Sequence, residues 1–343
     1  LIKDQRIILE DVDALGYFME KGLLELSEKY EIFTSEKIKN TKLVQANVKS
    51  TFNIGQDNIL KYQFDLGNIS PNEIFNVLDE LKNKKKYYRL KSGDLLNLEA
   101  NDELQQLEEL INDLDLNNKD LTKEYGEIPK YRAIYLDYLK KDKYSIITTN
   151  NSFDEFINNF NKYKDAQISL TTKDQKILRE YQVTGVKWLY NIYKCNLGGI
   201  LADEMGLGKS IQFIYFIKQV LKEKHDAKIL IVVPTSLVYN WQNEFEKFGK
   251  DLNYKVLYGN KSMREELLNH LDNYNILITT YGLIREDQDL YTNLSFEIMA
   301  LDEAQNIKNN NAMMTKAVKK INASCKIALT GTPLENSITE LWS

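Results

Sequence analysis

From about residue 195 onward, two patterns alternate along the chain. Short apolar runs stand at Leu197–Ala202, Ile229–Val233, Ile276–Thr280, Ile298–Leu301 and Ile327–Leu329, most of them separated by helical or polar stretches. Continuous apolar runs of this kind predict strands buried on both faces, and their alternation with helices predicts a parallel sheet. After Ser210, apolar Ile211, Ile214, Ile217 and Leu221 recur at helical spacing. Each run ends on small, polar or acidic residues: Asp203-Glu204, Pro234-Thr235-Ser236, Thr280-Tyr281, Asp302-Glu303 and Thr330-Gly331-Thr332. Open α/β sheets bind ligands at the carboxyl ends of their strands, so five ends loaded in this way predict one shared site.

The earlier part reads differently, as a mixture of helices and strands. Ser70-Pro71-Asn72-Glu73 has the form of a capping box with proline at the first helical position. Ile74, Val77, Leu78 and Leu81 follow at helical spacing, then a short strand at Tyr87–Leu90 and a turn at Ser92-Gly93-Asp94. Leu104, Leu107, Ile111 and Leu114 share one face of a second helix, and Ser152–Glu155 predicts the cap of another. No repeat and no low-complexity tract is visible. The polar stretch from Lys140 to Asn151 predicts a boundary between a smaller α+β domain, 1–150, and an α/β domain, 151–343.

Composition narrows this picture. Of 343 residues, 43% are apolar and 28% charged, enough for two domains with real cores and too apolar for wholesale disorder. No apolar run approaches the roughly 20 residues of a membrane span, and no secretion signal opens the chain. Cys195 and Cys325, with only His225 and His270 beside them, make neither a disulfide framework nor a zinc ligand set. A reduced, intracellular protein without structural metal is expected. The net charge of –5 does not by itself suggest a nucleic-acid partner. Residues 1–170 carry 24 Lys+Arg against 30 Asp+Glu, and residues 171–343 carry 21 against 20, so the chemistry sits in the near-neutral half. The opening at Leu1 and the stop at Trp342-Ser343, without a helix stop, read as a piece of something longer.

Two segments carry recognisable chemistry. Ala202-Asp203-Glu204-Met205-Gly206-Leu207-Gly208-Lys209-Ser210 follows a predicted strand and precedes a helix, the context of a phosphate-binding loop. Its glycines let backbone N–H groups close on phosphates, and the helix start adds partial positive charge. Lys209 reaches the β/γ-phosphates and the Ser210 hydroxyl can bind Mg²⁺. The strict pattern has another glycine where Asp203 stands, so this loop is a variant. Asp302-Glu303-Ala304-Gln305 ends a separate apolar strand. In NTPases such a pair divides its work, one carboxylate holding Mg²⁺ and its neighbour polarising the attacking water.

In order along the chain, these segments resemble the SWI/SNF-type family of helicase-like ATPases in helicase superfamily two. Leu178–Leu189, containing Arg179-Glu180-Tyr181-Gln182, looks like the family's glutamine motif, with Glu180 in place of the usual proline. Asp203–Ser210 resembles motif I with Ser for the commoner Thr. Val233–Leu237, then Asn240-Trp241 and Glu244-Phe245, is similar to motif Ia, and Thr279-Thr280-Tyr281 to motif Ib. Asp302–Gln305, followed by Ile307-Lys308-Asn309, resembles motif II with Gln where many members have His. Leu329-Thr330-Gly331-Thr332-Pro333-Leu334-Glu335-Asn336, then Glu340-Leu341-Trp342, resembles motif III. The likeness covers about 172–343. More diffusely, Tyr87–Leu90, Gly93 with the leucines after it, and Pro129–Ala133 resemble the region preceding the ATPase in bacterial members.

The resemblance implies a RecA-like first lobe that binds ATP and Mg²⁺ and tracks along double-stranded DNA without separating its strands. Arg179, Gln182 and the loop Asp203, Glu204, Met205, Gly206, Leu207, Gly208, Lys209 and Ser210 would hold nucleotide, with Gln182 reading adenine. Asp302 and Ser210 would hold Mg²⁺, Glu303 would be the base, and Gln305, Thr330, Gly331 and Thr332 would couple nucleotide state to DNA grip. Thr235, Ser236, Thr280 and Tyr281 would touch DNA phosphates, which positions DNA without reading sequence. The expected partners are duplex DNA and a DNA-bound protein target, with no membrane. The chain is expected to be a monomer in the bacterial cytoplasm, associated with the nucleoid. With the second lobe outside these residues, the 343 alone are expected to be near-inactive. A strand-separating helicase and a non-hydrolysing ATP-sensing scaffold remain as alternatives. Lys82–Arg89, a basic run with aromatics, fits phosphate contact or a charged helix end equally. The acidic face Glu103, Glu108, Glu109, Asp113 and Asp115 reads as solvated, and Trp188 as core. Trp241 is open between core and stacking, and both cysteines read as inert.

Overall fold

The computed structural model describes residues 2–3, 6–7, 9, 11–55, 59–121, 123, 125–164, 168, 170–309 and 312–332. The chain forms two compact units, 1–157 and 158–343, divided within the helix Asn151–Lys164.

In the first unit, four described strands pair in the spatial order Gly126–Ile128, Leu60–Asp65, Lys49–Ile54, Ile147–Thr149. Lys49–Ile54 buries Ser50, Phe52 and Ile54 and exposes Lys49 and Asn53, the alternation of a half-covered strand. The helices Ile74–Lys82 and Asp102–Asp113 bury the predicted apolar positions, Ile74, Val77 and Leu78 in one, Leu104, Leu107 and Ile111 in the other. Two predicted caps are corrected. Glu73 does not close a capping box. Its carboxylate accepts from Ser70 Oγ at 2.8 Å and from Lys91 N at 2.7 Å, so the helix begins three residues after Pro71. Asn150, not Ser152, caps the helix Asn151–Lys164, accepting from Phe153 N at 2.9 Å.

Several charges in this unit are paired. Tyr144 Oη donates to Glu109 at 3.1 Å and to Asp113 at 2.8 Å, and Lys143 pairs with both carboxylates. Glu103 accepts from Val48 N at 2.6 Å. The predicted solvated acidic face is therefore partly engaged. Within the basic run, Lys82 meets Glu108 at 3.7 Å, Lys85 meets Asp13 at 3.9 Å and Lys86 meets Glu99 at 3.1 Å.

The second unit places α1 (Glu180–Lys194), β1 (Gly199–Leu201), α2 (Lys209–Glu223), β2 (Ile229–Val233), α3 (Val238–Phe248), β3 (Tyr254–Val256), α4 (Lys261–Asn269), β4 (Ile276–Thr280), α5 (Tyr281–Glu286), β5 (Ser295–Asp302), α6 (Met313–Lys319) and β6 (Asn322–Leu329) in chain order. Among the described residues these six strands pair in parallel as β1-β6-β5-β2-β4-β3. The half-buried edge strand β3 has no apolar run to announce it, and β5 and β6 begin earlier than their apolar cores. Leu230, Val232, Leu277, Met299 and Leu301 pack with Leu268 of α4, Ile284 of α5 and Val318 of α6. The alternate residues, Ile229, Ile231, Ile278 and Ile298 among them, are equally buried, α3 packs on β4, and α1, α2 and α3 pack side by side. Helices cover both faces, as expected.

Register fixes where the strands end. Leu201 pairs with Leu329, Leu329 with Asp302, and Val233 with Thr280, so the carboxyl ends form one row. Trp188, expected in the core, is 36% exposed at the β1 edge, where a Cβ on Gly199 would lie 2.7 Å from its ring. Cys195 and Cys325 are buried, and burial pushes the Cys325 thiol up to about 12, which keeps it protonated and inert.

A buried ion pair ties α4 to the chain after α5. Arg264 Nε meets Asp287 Oδ2 at 2.5 Å and Arg264 Nη2 meets Oδ1 at 2.8 Å, with both side chains almost fully enclosed. Removing Asp287 leaves the buried guanidinium only the more distant Glu286 carboxylate at 3.7 Å and the Gly259 carbonyl. Asp287→Ala should lower unfolding stability by about 3–5 kcal/mol, read by urea titration followed through tryptophan fluorescence. A loss below about 1 kcal/mol, the range of exposed pairs, would show that water reaches the guanidinium.

Candidate nucleotide site

The loop between β1 and α2 is built on two left-handed glycines. Gly206 and Gly208 have φ of +84° and +81°, which L side chains rarely adopt. At Gly206 a Cβ would meet nothing within 4 Å, so the angle alone requires glycine. At Gly208 a Cβ would also fall 2.6 Å from Gln182 Nε2. Gly208 is the N-cap of α2, and Lys209 and Ser210 form its first turn, where N–H groups lack helical partners. Lys209 is 9% exposed, and its Nζ donates to the carbonyls of Asp203 at 2.9 Å and Glu204 at 3.3 Å.

Gln182 braces the loop from α1. Its Nε2 donates to Leu207 O at 3.0 Å and its Oε1 accepts from Arg179 N at 3.0 Å. Tyr181 Oη also donates to Leu207 O at 3.0 Å. Arg179 precedes α1 as its N-cap.

Across the edge of the sheet, Asp302 ends β5 and is 7% exposed. Burial raises its carboxyl above the usual carboxylate range, opposed by the hydrogen bond from Trp241. Trp241 Nε1 donates to Oδ2 at 2.7 Å and Glu303 N to Oδ1 at 3.0 Å, so each oxygen already faces a donor. Glu303 itself is left-handed at φ +48°, a strained conformation for a residue with a side chain. From there a relay runs along the edge. Gln305 Nε2 donates to Glu303 Oε2 at 2.6 Å, and Thr330 Oγ1 donates to Gln305 Oε1 at 2.9 Å. Thr332 N donates back to Thr330 Oγ1 at 3.1 Å. Gly331 lies close by, where a Cβ would be 3.0 Å from the Met205 side chain and 3.6 Å from Lys209 Nζ.

One cavity of about 530 Å³ lies between the phosphate loop and the Asp302-Glu303 strand end. Met205, Gly206, Gly208, Lys209 and Ser210 line it on one side, with Asp302 and Glu303 beside them. The opposite wall is α3, through Asn240, Trp241, Asn243, Glu244 and Lys247. Asn243 and Lys247 were not singled out from the sequence. The signal available was their helical spacing of three and four from Asn240 and Asn243. Trp241 is neither solvent-facing platform nor inert core: it is 1% exposed, with its N–H on Asp302. Gln182 and Arg179 do not line this cavity.

The expected DNA contacts divide. Thr235 and Ser236 are exposed in a single turn after β2. Thr280 and Tyr281 are turned inward. Thr280 Oγ1 caps α5 by accepting from Leu283 N at 3.3 Å. Tyr281 is 4% exposed and its Oη donates to the Asp302 carbonyl at 2.8 Å, with burial raising its phenol. Pro333, Leu334, Glu335, Asn336, Glu340, Leu341 and Trp342 lie outside the described residues.

Residues 181–343 match the SNF2-related domain, and residues 1–170 match the bacterial SNF2 helicase-associated domain. The chain belongs to the SNF2 family. It is 38% identical over 245 residues to an uncharacterized ATP-dependent helicase of Mycoplasma pneumoniae, a match covering 69% of this chain and 23% of that protein. It is 39% identical over 168 residues to the putative ATP-dependent helicase/translocase YwqA of Bacillus subtilis, covering 48% and 18%. Helicase SWR1 of Candida glabrata is 44% identical over 170 residues, covering 48% and 12%. The chain thus spans under a quarter of the length of these relatives. Among solved structures, the Sulfolobus solfataricus SWI2/SNF2 ATPase core in complex with dsDNA is 37% identical, with a TM-score of 0.45, covering 48% of this chain and 34% of that one.

The donor set of this SNF2-family site fits a magnesium nucleotide. A nearly buried ammonium, a hydroxyl at a helix start and a buried carboxylate with a second one beside it meet around one cavity. The loop glycines provide a direct check. Gly208→Ala should lower stability by about 1–2 kcal/mol, the cost of left-handed backbone for an L residue. Its Cβ should also displace Gln182 and weaken nucleotide binding. Urea unfolding and calorimetric titration with ATP read the two effects; parental values in both would show that the loop relaxes without Gln182.

Proposed function

We propose that this chain carries, in residues 151–343, the first lobe of an ATP-driven motor that moves along double-stranded DNA without separating its strands. The observation that carries the reading is the register of the sheet. It brings the phosphate loop, Asp302 and Glu303 to one edge around one cavity, with Gln305 and Thr330 hydrogen-bonded in line behind Glu303. In this reading Lys209 exchanges its carbonyl partners for phosphate oxygens, and Gly206 and Gly208 let backbone N–H groups approach. Gln182, with Arg179 beside it, reads the base. Ser210 and Asp302 hold Mg²⁺, which would offset charge on the phosphates. Glu303 orients and deprotonates water, held in place by Gln305, and Thr330, Gly331 and Thr332 carry the change along the edge. Thr235 and Ser236 touch DNA phosphate with neutral donors.

Duplex DNA is the proposed track, with a DNA-bound protein as target and the bacterial cytoplasm, at the nucleoid, as location. The proposed motor is monomeric and does not engage membranes. Among the described residues no helix is long and apolar enough to cross one. A strand-separating helicase would open forked duplexes, whereas the proposed motor displaces a triplex strand and leaves forks closed. A non-hydrolysing scaffold is disfavoured because Lys209, Asp302 and Glu303 are all present.

Three measurements test the reading. Lys209→Ala should abolish calorimetric ATP binding while circular dichroism stays parental; retained binding would refute the phosphate loop. In the full-length protein, Glu303→Gln should bind ATP but hydrolyse it about 10²–10⁴-fold more slowly, the usual range for a general base. Turnover at the parental rate would place the base elsewhere. Residues 1–343 alone should hydrolyse ATP near background with or without duplex DNA, because one lobe cannot open and close on nucleotide. Robust DNA-stimulated turnover by these residues would exclude a two-lobe mechanism.

A further inference from the structure

The loop departs from the strict phosphate-loop pattern at Asp203, where that pattern has glycine. The backbone there does not need one, since Asp203 is not among the left-handed residues. Its carboxylate instead accepts a 2.7 Å hydrogen bond from Gln212 Nε2, one turn into α2. The same NH₂ group lies 3.4 Å from the carbonyl of Gly208. One amide therefore spans the loop, touching its first residue and its last.

Gln212 holds this position against an energetic cost. It is 0% exposed, and its Oε1 finds no hydrogen-bond partner among the described residues. A buried acceptor without a donor destabilises a fold, and an apolar side chain of similar size would avoid that. The neighbouring helix is also shaped around the amide. A Cβ on Gly185 of α1 would lie 1.8 Å from Gln212 Oε1, so a side chain there would have to displace the end of the amide. Packing thus fixes the amide with its NH₂ group toward two acceptors of the loop.

We infer that Asp203 and Gln212 are positioning residues, a brace that holds the phosphate loop open at the spacing a triphosphate needs. Gln182 fixes the loop at Leu207 from α1, and Gln212 fixes it at Asp203 from α2. Lys209 connects to the same segment through the Asp203 carbonyl. Without the brace the loop keeps its glycines but loses the tether at its first residue, so more conformations compete with the one that binds phosphate. Restoring the strict pattern with Asp203→Gly should therefore harm the site rather than improve it. The inference rests on the nucleotide reading above and concerns which residues shape the loop, not which touch ATP.

The test uses the full-length protein with ATP and MgCl₂. Calorimetry and steady-state kinetics are run on Asp203→Gly, Asp203→Ala, Gln212→Ala and the double variant Asp203→Ala/Gln212→Ala. Each single variant should weaken ATP binding about tenfold, the equivalent of one charge-assisted hydrogen bond. The double variant should lose no more than either alone, because both remove the same interaction. KM should rise with kcat near parental, since a brace acts on ground state and transition state alike. Asp203 is only half-buried, so its variants keep the test valid even if Gln212→Ala folds poorly. Parental affinity in Asp203→Gly, or losses that multiply toward a hundredfold in the double variant, would overturn the brace. Lys209→Ala, run in parallel, separates this from the premise: if it too binds ATP normally, the nucleotide reading itself falls.

Discussion

The site is organised around keeping a carboxylate usable where burial works against it. Asp302 sits at the end of an eight-residue strand, nearly enclosed, and desolvation favours its neutral form. Two donors oppose that tendency, the indole N–H of Trp241 and the backbone N–H of Glu303. Hydrogen bonds to the charged form hold a buried carboxylate ready for a cation. Trp241 can donate only because α3 packs tightly on the sheet, with its ring edge-on to Phe213 of α2 at 6.2 Å. The chemistry at the sheet edge is therefore a consequence of aromatic packing beneath it.

The same logic explains why the cost is concentrated in one place. Glu303 is strained at φ +48°, Asp302 is desolvated, and Gln212 buries an acceptor without a donor. Each would be selected against in a region built for stability alone. The layers below compensate, with β2 and β4 buried at every position. A rigid parallel sheet lets a few residues at its edge depart from low-energy arrangements without loosening the fold.

Much of this was legible in the sequence because parallel strands buried on both faces are written as uninterrupted apolar runs. Ile229–Val233 and Ile276–Thr280 form strands with the predicted limits. The nucleotide loop was legible because few contexts other than phosphate binding put Gly-x-Gly-Lys-Ser at a helix start. Features that depend on tertiary partners were not. β3 has no apolar run because it is a half-buried edge strand. Glu73 and Ser152 looked like parts of helix caps by local spacing, but the Lys91 backbone N–H occupies the Glu73 carboxylate and Asn150 caps the later helix. Thr280 and Tyr281 stand at a strand end, as ligand-binding residues do, yet their hydroxyls serve Leu283 and Asp302. Spacing along the chain places a residue at an edge; only packing decides which way it turns.

The inward turn of Tyr281 also links the ends of β4 and β5, which the proposed motor would move together. Its hydroxyl holds the Asp302 carbonyl, and Asp302 in turn receives Trp241. Thr330 reaches the same residue pair from the other side through Gln305 and Glu303, while its backbone N–H reaches Leu201 at 3.2 Å. Leu201 ends the strand that feeds the phosphate loop. The ends of β1, β5 and β6 and the start of α5 are thus joined by hydrogen bonds across Asp302-Glu303, in addition to the sheet ladder. In the proposed mechanism a change in what Asp302 and Glu303 bind would reach the end of β4 through Tyr281 and the ends of β6 and β1 through Gln305 and Thr330. In a close-packed edge such groups shift between discrete arrangements rather than by degrees, and that is the physical requirement for passing nucleotide state to a surface some distance away.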